Sequence, residues 1–249
     1  MTKLGINIDH VATLRNARGE GHPNILEIAK IVKDSGADSI TVHLREDRRH
    51  IKDHDLKMLC RKRYLINMEM AANIKMMNIA IKNNPKFVCI VPEKRNEITT
   101  EGGLNLNKNF NLLKKIVNKL NKKKIRTSLF IDPTIKNIKL SKKIGAKCVE
   151  LHTGKISRLV KDNKNFSNEL NKIKRCSKFG TDNNIEIHAG HGLDYKTTKL
   201  LTIISDISEY NIGHFIIGES IKVGISKVIR NFKKIISWKW ILLVLVSIL

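Results

Sequence analysis

A chain of 249 residues is long enough to bury a sizeable core, and no Pro-, Gly- or Ser-rich linker divides it, which points to one domain. Its formal charge of +24 comes from Lys scattered among Asn and Ile, as in NLLKKIVNKLNKKKIR, with few aromatic platforms, which argues against a dedicated nucleic-acid partner. The positive field instead favours anionic, for instance phosphorylated, substrates. Cys60, Cys89, Cys148 and Cys176 form no C-x-x-C pair, and the apolar run 4–8 is too short for a signal peptide. Free thiols in a reducing cytoplasm are therefore expected.

In chain order, residues 4–8 read as a strand ending on Asn7, Asp9 and His10, followed by a basic loop with Arg15 and Arg18. Asn24 is placed to cap a helix reaching about Ser35, with Ile25, Ile28, Ala29 and Val32 on one face and Gly36 beyond its end. A second strand, with Thr41 between Ile40 and Val42, runs into His43, Arg45, Glu46, Asp47, Arg48, Arg49 and His50. It delivers a cluster of ionisable groups to its carboxyl end, where α/β folds build their sites. After a basic helix to about Arg63, LINMEM forms a third strand that holds Glu69 inside an apolar run. A carboxylate there must be paired, protonated or functional, because burying an unpaired charge is costly.

A helix over 73–82 leads to a fourth strand, FVCIV, ending on Glu93 and Lys94, then a loop with Thr99, Thr100, Gly102 and Gly103 and a Lys-rich helix. RTSLFI is the fifth strand, ending on Asp132, and the helix from Thr134 stops near Gly145. The sixth strand, 148–151, carries Glu150, with His152 and Thr153 at its end; the next helix, 166–179, stops at Gly180. The seventh, 185–188, opens into Ala189-Gly190-His191-Gly192. The eighth lies within 210–217, either ending at Ile212 so that Gly213 and His214 form a loop, or running on to Ile217.

Strand and helix alternate eight times without a hairpin signal, which predicts a (β/α)8 TIM barrel over 1–236. The apolar tail 237–249 is too short for a membrane span. It leaves open a helix packed on the barrel or a subunit interface, and an anchor at a membrane surface.

In such a barrel the polar strand ends face one mouth. They supply imidazoles for proton exchange near neutral pH, carboxylates that act as bases, and arginines that fork onto phosphate oxygens. Glycines around His191 and Gly213-His214 let backbone N–H groups approach an anion, in the loops that most often cradle phosphate. Asp, His and Glu at strand ends also suit a divalent metal, although the basic residues around His43 oppose a cation.

The stretches GINIDHVATLRNARG, ITVHLREDRRHI, NMEMA, VPEKRNEITTEGGL, SLFIDP, ELHTG, AGHGL and NIGHFIIG occur in this order. Over residues 4–234 the chain closely resembles the pyridoxine 5′-phosphate synthase family of the deoxyxylulose-5-phosphate-dependent vitamin B6 pathway. The resemblance implies a cytoplasmic, homo-octameric barrel without metal or organic cofactor. It would condense 1-deoxy-D-xylulose 5-phosphate with 3-amino-2-oxopropyl phosphate into pyridoxine 5′-phosphate, phosphate and water. Carried over by motif, Asn7 and Arg18 contact the amino-ketone phosphate, and Asp9, His10, Arg45 and His50 hold the deoxyxylulose phosphate. Thr99, Gly192, Gly213 and His214 complete the two sites. His43 and Glu69 match the proton acceptors, His191 the proton donor, and Glu150 a group that stabilises charge in the transition state. Two features depart from the family: His188 just before the AGHGL turn, expected to perturb His191, and the apolar tail.

Overall fold

A computed structural model describes residues 1–62, 64–93 and 102–246, the side chains of 238–246 excepted. The elements follow in the order β1 (Lys3–Asn7), α1 (Asp9–Arg18), α2 (Ile25–Asp34), β2 (Ser39–His43), α3 (Asp53–Arg61), β3 (Ile66–Ala71), α4 (Ile74–Asn83) and β4 (Phe87–Val91). Then come α5 (Phe110–Lys122), β5 (Arg126–Ile131), α6 (Ile135–Ile144), β6 (Cys148–His152), α7 (Gly154–Lys161) and α8 (Ser167–Asp182). The chain finishes with β7 (Glu186–Gly190), α9 (Tyr195–Leu201), β8 (Ile207–Ile212), α10 (His214–Val223) and α11 (Ile225–Val246). Every strand pairs in parallel with the next, and β8 pairs with β1, so the sheet closes into the expected TIM barrel. The four cysteines are free.

Asn24 caps α2 by accepting from the N–H groups of Leu26 and Glu27, and Thr134 caps α6 through the Asn137 N–H. Three expectations are corrected. The basic loop after the first strand is helix α1, which buries Val11 and Ala12 and is tied to α3 by a bidentate pair of Arg15 with Asp55 at 2.7 and 2.8 Å. Gly180 does not stop its helix; α8 runs on to Asp182, and the missing side chain lets the helix pack on Ile187 of β7. Strand β8 starts at Ile207, earlier than expected, and ends at Ile212, so His214 is the first residue of α10. The expected boundary at 237 falls within α11, whose backbone continues to Val246. Among the described residues, no helix is long and apolar enough to cross a membrane.

The hydrophobic core is a sleeve between sheet and helices. It takes alternate strand residues, such as Leu4, Ile6, Ile40, Val42, Ile66, Met68, Val149 and Leu151, all at most 3% exposed, with Leu56, Ile116 and Phe232 from the helices. The opposite strand faces point into the lumen, and there the chemistry changes. Ser39 donates to Glu209, Thr41 to Asn211, Asn67 to Thr41, and Asn211 to Glu150, bonds that link β2, β3, β6 and β8 across the interior. Barrels of this type usually fill the lumen with branched apolar side chains. Here Cys89, Val91 and Phe130 form only a small separate apolar cluster. The outer sleeve carries most of the apolar burial, which frees the inner face for ionisable groups.

Candidate active site

The carboxyl ends of the strands surround a cavity of about 300 Å³. Of the expected site residues, Asn7, Asp9, His10, His43, Arg45, His50, Glu69, Glu150, His191, Gly192, Gly213 and His214 line it. Thr99 lies outside the described residues, as do Lys94 and Thr100. Arg18 does not reach the cavity: it ends α1 in solvent, its Nε 3.1 Å from the Glu20 carboxylate. Asp132 and His152 are paired at 3.4 Å and border a smaller cavity with Lys155, Glu169 and Lys172.

On one side of the mouth, the Asp9 carboxylate accepts from the Asn7 amide at 2.7 Å and the His43 N–H at 2.8 Å, which locks the end of β1 to the end of β2. Its pKa is raised, because burial outweighs its hydrogen bonds and the pull of His43 and Arg45. His43 stands between two carboxylates, Nδ1 3.7 Å from Glu69 and Nε2 3.4 Å from Glu93. Helix α1 shapes the loop behind them: Asn16 donates to the Arg49 and His50 carbonyls, and Thr13 Oγ1 lies 2.6 Å from His50 Nδ1. His50 is pushed down to about 4 by burial and then by His10, Arg45, His43 and Arg49. Arg45 lies 3.6 Å from Asp47 and 3.9 Å from Glu93, and Arg49 pairs with Asp47 at 2.6 Å, so cations and carboxylates alternate along this side.

Glu69, in β3, is raised well above the usual carboxylate range by burial and by Glu150 and Asp9. Glu150, in β6, is brought up to about 7 by burial, with His188 and the Asn211 amide opposing. Its carboxylate lies over Gly190, where any Cβ would collide with it. Opposite, His191 is depressed to about 4 by burial and then by His152, Lys161 and Arg158. It has φ +78° and Gly192 follows at +75°, a left-handed turn that presents the imidazole to the cavity. His188 does not face His191. It sits lower in the lumen, 2% exposed, with Nε2 3.2 Å from Glu186, and its charge acts on Glu150 instead.

Asp9, His43 and Glu69 bring ligand atoms within 4.8 Å of one another, a spacing a divalent ion could use. Both carboxylate oxygens of Asp9 are already taken by Asn7 and His43 donors, and Arg45 adds positive charge beside it. Several lining residues were not singled out in the sequence. Asn211 is an inward polar residue on β8, Lys161 arrives from the end of α7 with Nζ 3.1 Å from the Gly192 carbonyl, and Phe130 and Phe215 give the cavity apolar walls.

A barrel with titrating carboxylates, imidazoles and cations around one mouth defines an enzyme that works on anionic substrates by acid–base chemistry. Residues 4–238 match the family described as "Pyridoxal phosphate biosynthesis protein PdxJ". The chain belongs to this family, and its activity is pyridoxine 5′-phosphate synthesis in the making of vitamin B6. It is 60% identical over 236 residues to pyridoxine 5′-phosphate synthase of Pelagibacter ubique (strain HTCC1062), covering 94% of this chain and 99% of the relative. It is 47% identical over 235 residues to the enzyme of that name from Ehrlichia ruminantium (strain Gardel), covering 94% and 97%. Among solved structures, 3-keto-L-gulonate-6-phosphate decarboxylase from Vibrio cholerae superposes with a TM-score of 0.65 at 10% identity, covering 96% of this chain and all of that one. That likeness is one of fold.

Proposed function

We infer that the cavity condenses 1-deoxy-D-xylulose 5-phosphate with 3-amino-2-oxopropyl phosphate, with Glu69 and His43 as bases and His191 as the acid. The observation that carries the reading is the convergence of Glu69, from β3, and His191, after β7, on one cavity. Arg45, His50, Gly192, Gly213 and His214 line it as well, and in this reading they divide between two phosphate sites. Two dianionic phosphates repel each other. Cations and backbone amides at the two sites offset that repulsion and hold the amine near the ketone, so that bond formation becomes intramolecular.

Joining the amine to the ketone gives a carbinolamine that must lose its hydroxyl as water. His191 protonates that oxygen as it leaves. Two anionic substrates raise the imidazole from its depressed value, so that it takes up from solvent the proton it must donate. Eliminating phosphate and aromatising the ring require protons to be taken from carbon. Glu69, raised by burial, is a strong base once ionised, and His43 at 3.7 Å shares the task. Glu150, held by the Asn211 amide at 2.7 Å, stabilises positive charge on the condensing nitrogen. Arg18 joins the amino-ketone phosphate site only if the end of α1 moves inward from its pairing with Glu20.

The family resemblance supports a homo-octamer in the cytoplasm, a state that light scattering on the purified chain checks. The chemistry is tested by following phosphate and pyridoxine 5′-phosphate release from the two substrates, with and without chelator. Equal release of both products that survives chelation supports the reading. Release lost on chelation transfers Asp9, His43 and Glu69 to a metal, and no release refutes the condensation.

A further inference from the structure

His191 holds a backbone conformation that residues with a side chain rarely adopt, and the cause lies outside its own turn. Thr153, between β6 and α7 and completely buried, places its Oγ1 2.6 Å from the Gly190 carbonyl and 2.7 Å from the His191 carbonyl. Its backbone N–H also donates to the Gly190 carbonyl at 2.9 Å. These two carbonyls bracket the Cα of His191. Fixing both therefore fixes the φ and ψ that aim the imidazole. The next residue forms the floor: a Cβ on Gly154 would lie 2.9 Å from His191 Cδ2 and 2.6 Å from His152 Nε2, so the rings rest on bare backbone.

We propose that Thr153 is a positioning residue of the reaction, its backbone N–H holding the Gly190 carbonyl and its one hydroxyl proton the His191 carbonyl, so that the imidazole stays at the cavity wall. Thr153 does not line the cavity, so it acts through His191. Valine has the same shape without the hydroxyl donor; the backbone N–H still holds the Gly190 carbonyl, but the His191 carbonyl is freed and the turn can relax toward negative φ. The proposal rests on the reading of His191 as the acid.

The test is steady-state kinetics of Thr153→Val and Thr153→Ser, each also combined with His191→Asn, with thermal melts to establish folding. Thr153→Val is expected to lower kcat about tenfold or more while both KM values stay within about threefold, because a misaimed acid costs turnover rather than binding. Thr153→Ser keeps the hydroxyl and should remain within about threefold of the parent. In the His191→Asn background the valine change should cost no more than about twofold, since there is no acid left to aim. Thr153→Ala replaces the valine variant if that one does not fold. A folded valine or alanine variant with parental kcat overturns the clamp, as does a serine variant that falls as far as valine, or a full effect persisting without His191. Parental turnover in His191→Asn alone instead overturns the assignment of the acid.

Discussion

Glu69 and His43 face each other across β2 and β3, paired in register, with Oε2 3.7 Å from Nδ1. Neither is a surface group: their side chains are 17% and 8% exposed, and Glu93 closes the far side of the imidazole. Glu69→Gln keeps the shape and removes the charge, so it should leave the melting behaviour cooperative and lower kcat about a hundredfold or more. Steady-state turnover of the purified variant checks this, and near-parental kcat removes Glu69 from the chemistry.

The same carboxyl sets a pH dependence of stability. Its folded pKa lies well above the usual value, so the folded chain binds its proton more tightly than the unfolded chain does. That contribution is fully present below the unfolded carboxyl value, about 4.3, and is lost as pH rises through the folded one. Glu69→Gln escapes the loss. Urea unfolding should show the variant gaining on the parent as pH is raised from about 5 to about 8; a constant difference contradicts the shift.

Proton uptake reports on the acid. With its pKa near 4, His191 is neutral at neutral pH, and its contribution to stability, present above about 6.5, is lost as pH falls toward 4. Anionic substrates must reverse this shift before His191 can donate. Calorimetry of 3-amino-2-oxopropyl phosphate binding, in buffers of different ionisation enthalpy, should show net proton uptake that shrinks in His191→Asn. Equal uptake in both proteins assigns the proton elsewhere.

His188 offers a purely electrostatic lever. Burial opposes its charge, but Cys148, Glu186 and Glu209 outweigh burial and raise its pKa well above the ordinary imidazole value. Paired with Glu150 in register on adjacent strands, it favours the ionised carboxylate. Removing that charge in His188→Asn should move the Glu150 titration upward from about 7, as seen in carbon-detected NMR of labelled carboxyls. An unchanged or lower value contradicts the coupling.

Much of this site was legible because the chain marks strand ends with polar residues immediately after apolar ones. SITVH into Leu44 and Arg45, and FVCIV into Glu93, place their side chains by alternation alone. Helix α1 was not legible, since DHVATLRNAR lacks an apolar stripe; Arg15–Asp55 and the Asn16 amide hold it, contacts made with residues more than thirty positions away. The start of β8 was obscured for the opposite reason. Ser208, Glu209 and Asn211 look like loop residues, because a polar lumen inverts the usual rule that buried strand residues are apolar. The same inversion hid the effect of His188 on Glu150. Lys161 comes from the end of a helix that sequence patterning did not separate from its surroundings.

The account stands on an acid and a base lying between two anion sites at one mouth, and a crystal structure of the full chain soaked with both phosphorylated substrates, or with one and inorganic phosphate, measures that arrangement directly. Two phosphate-shaped density peaks are predicted, one beside Arg45 and His50 and the other against Gly192, Gly213 and His214, with Glu69 and His191 facing the space between them. A single peak, or a second one in the cavity beside Asp132 and Lys172, would contradict it.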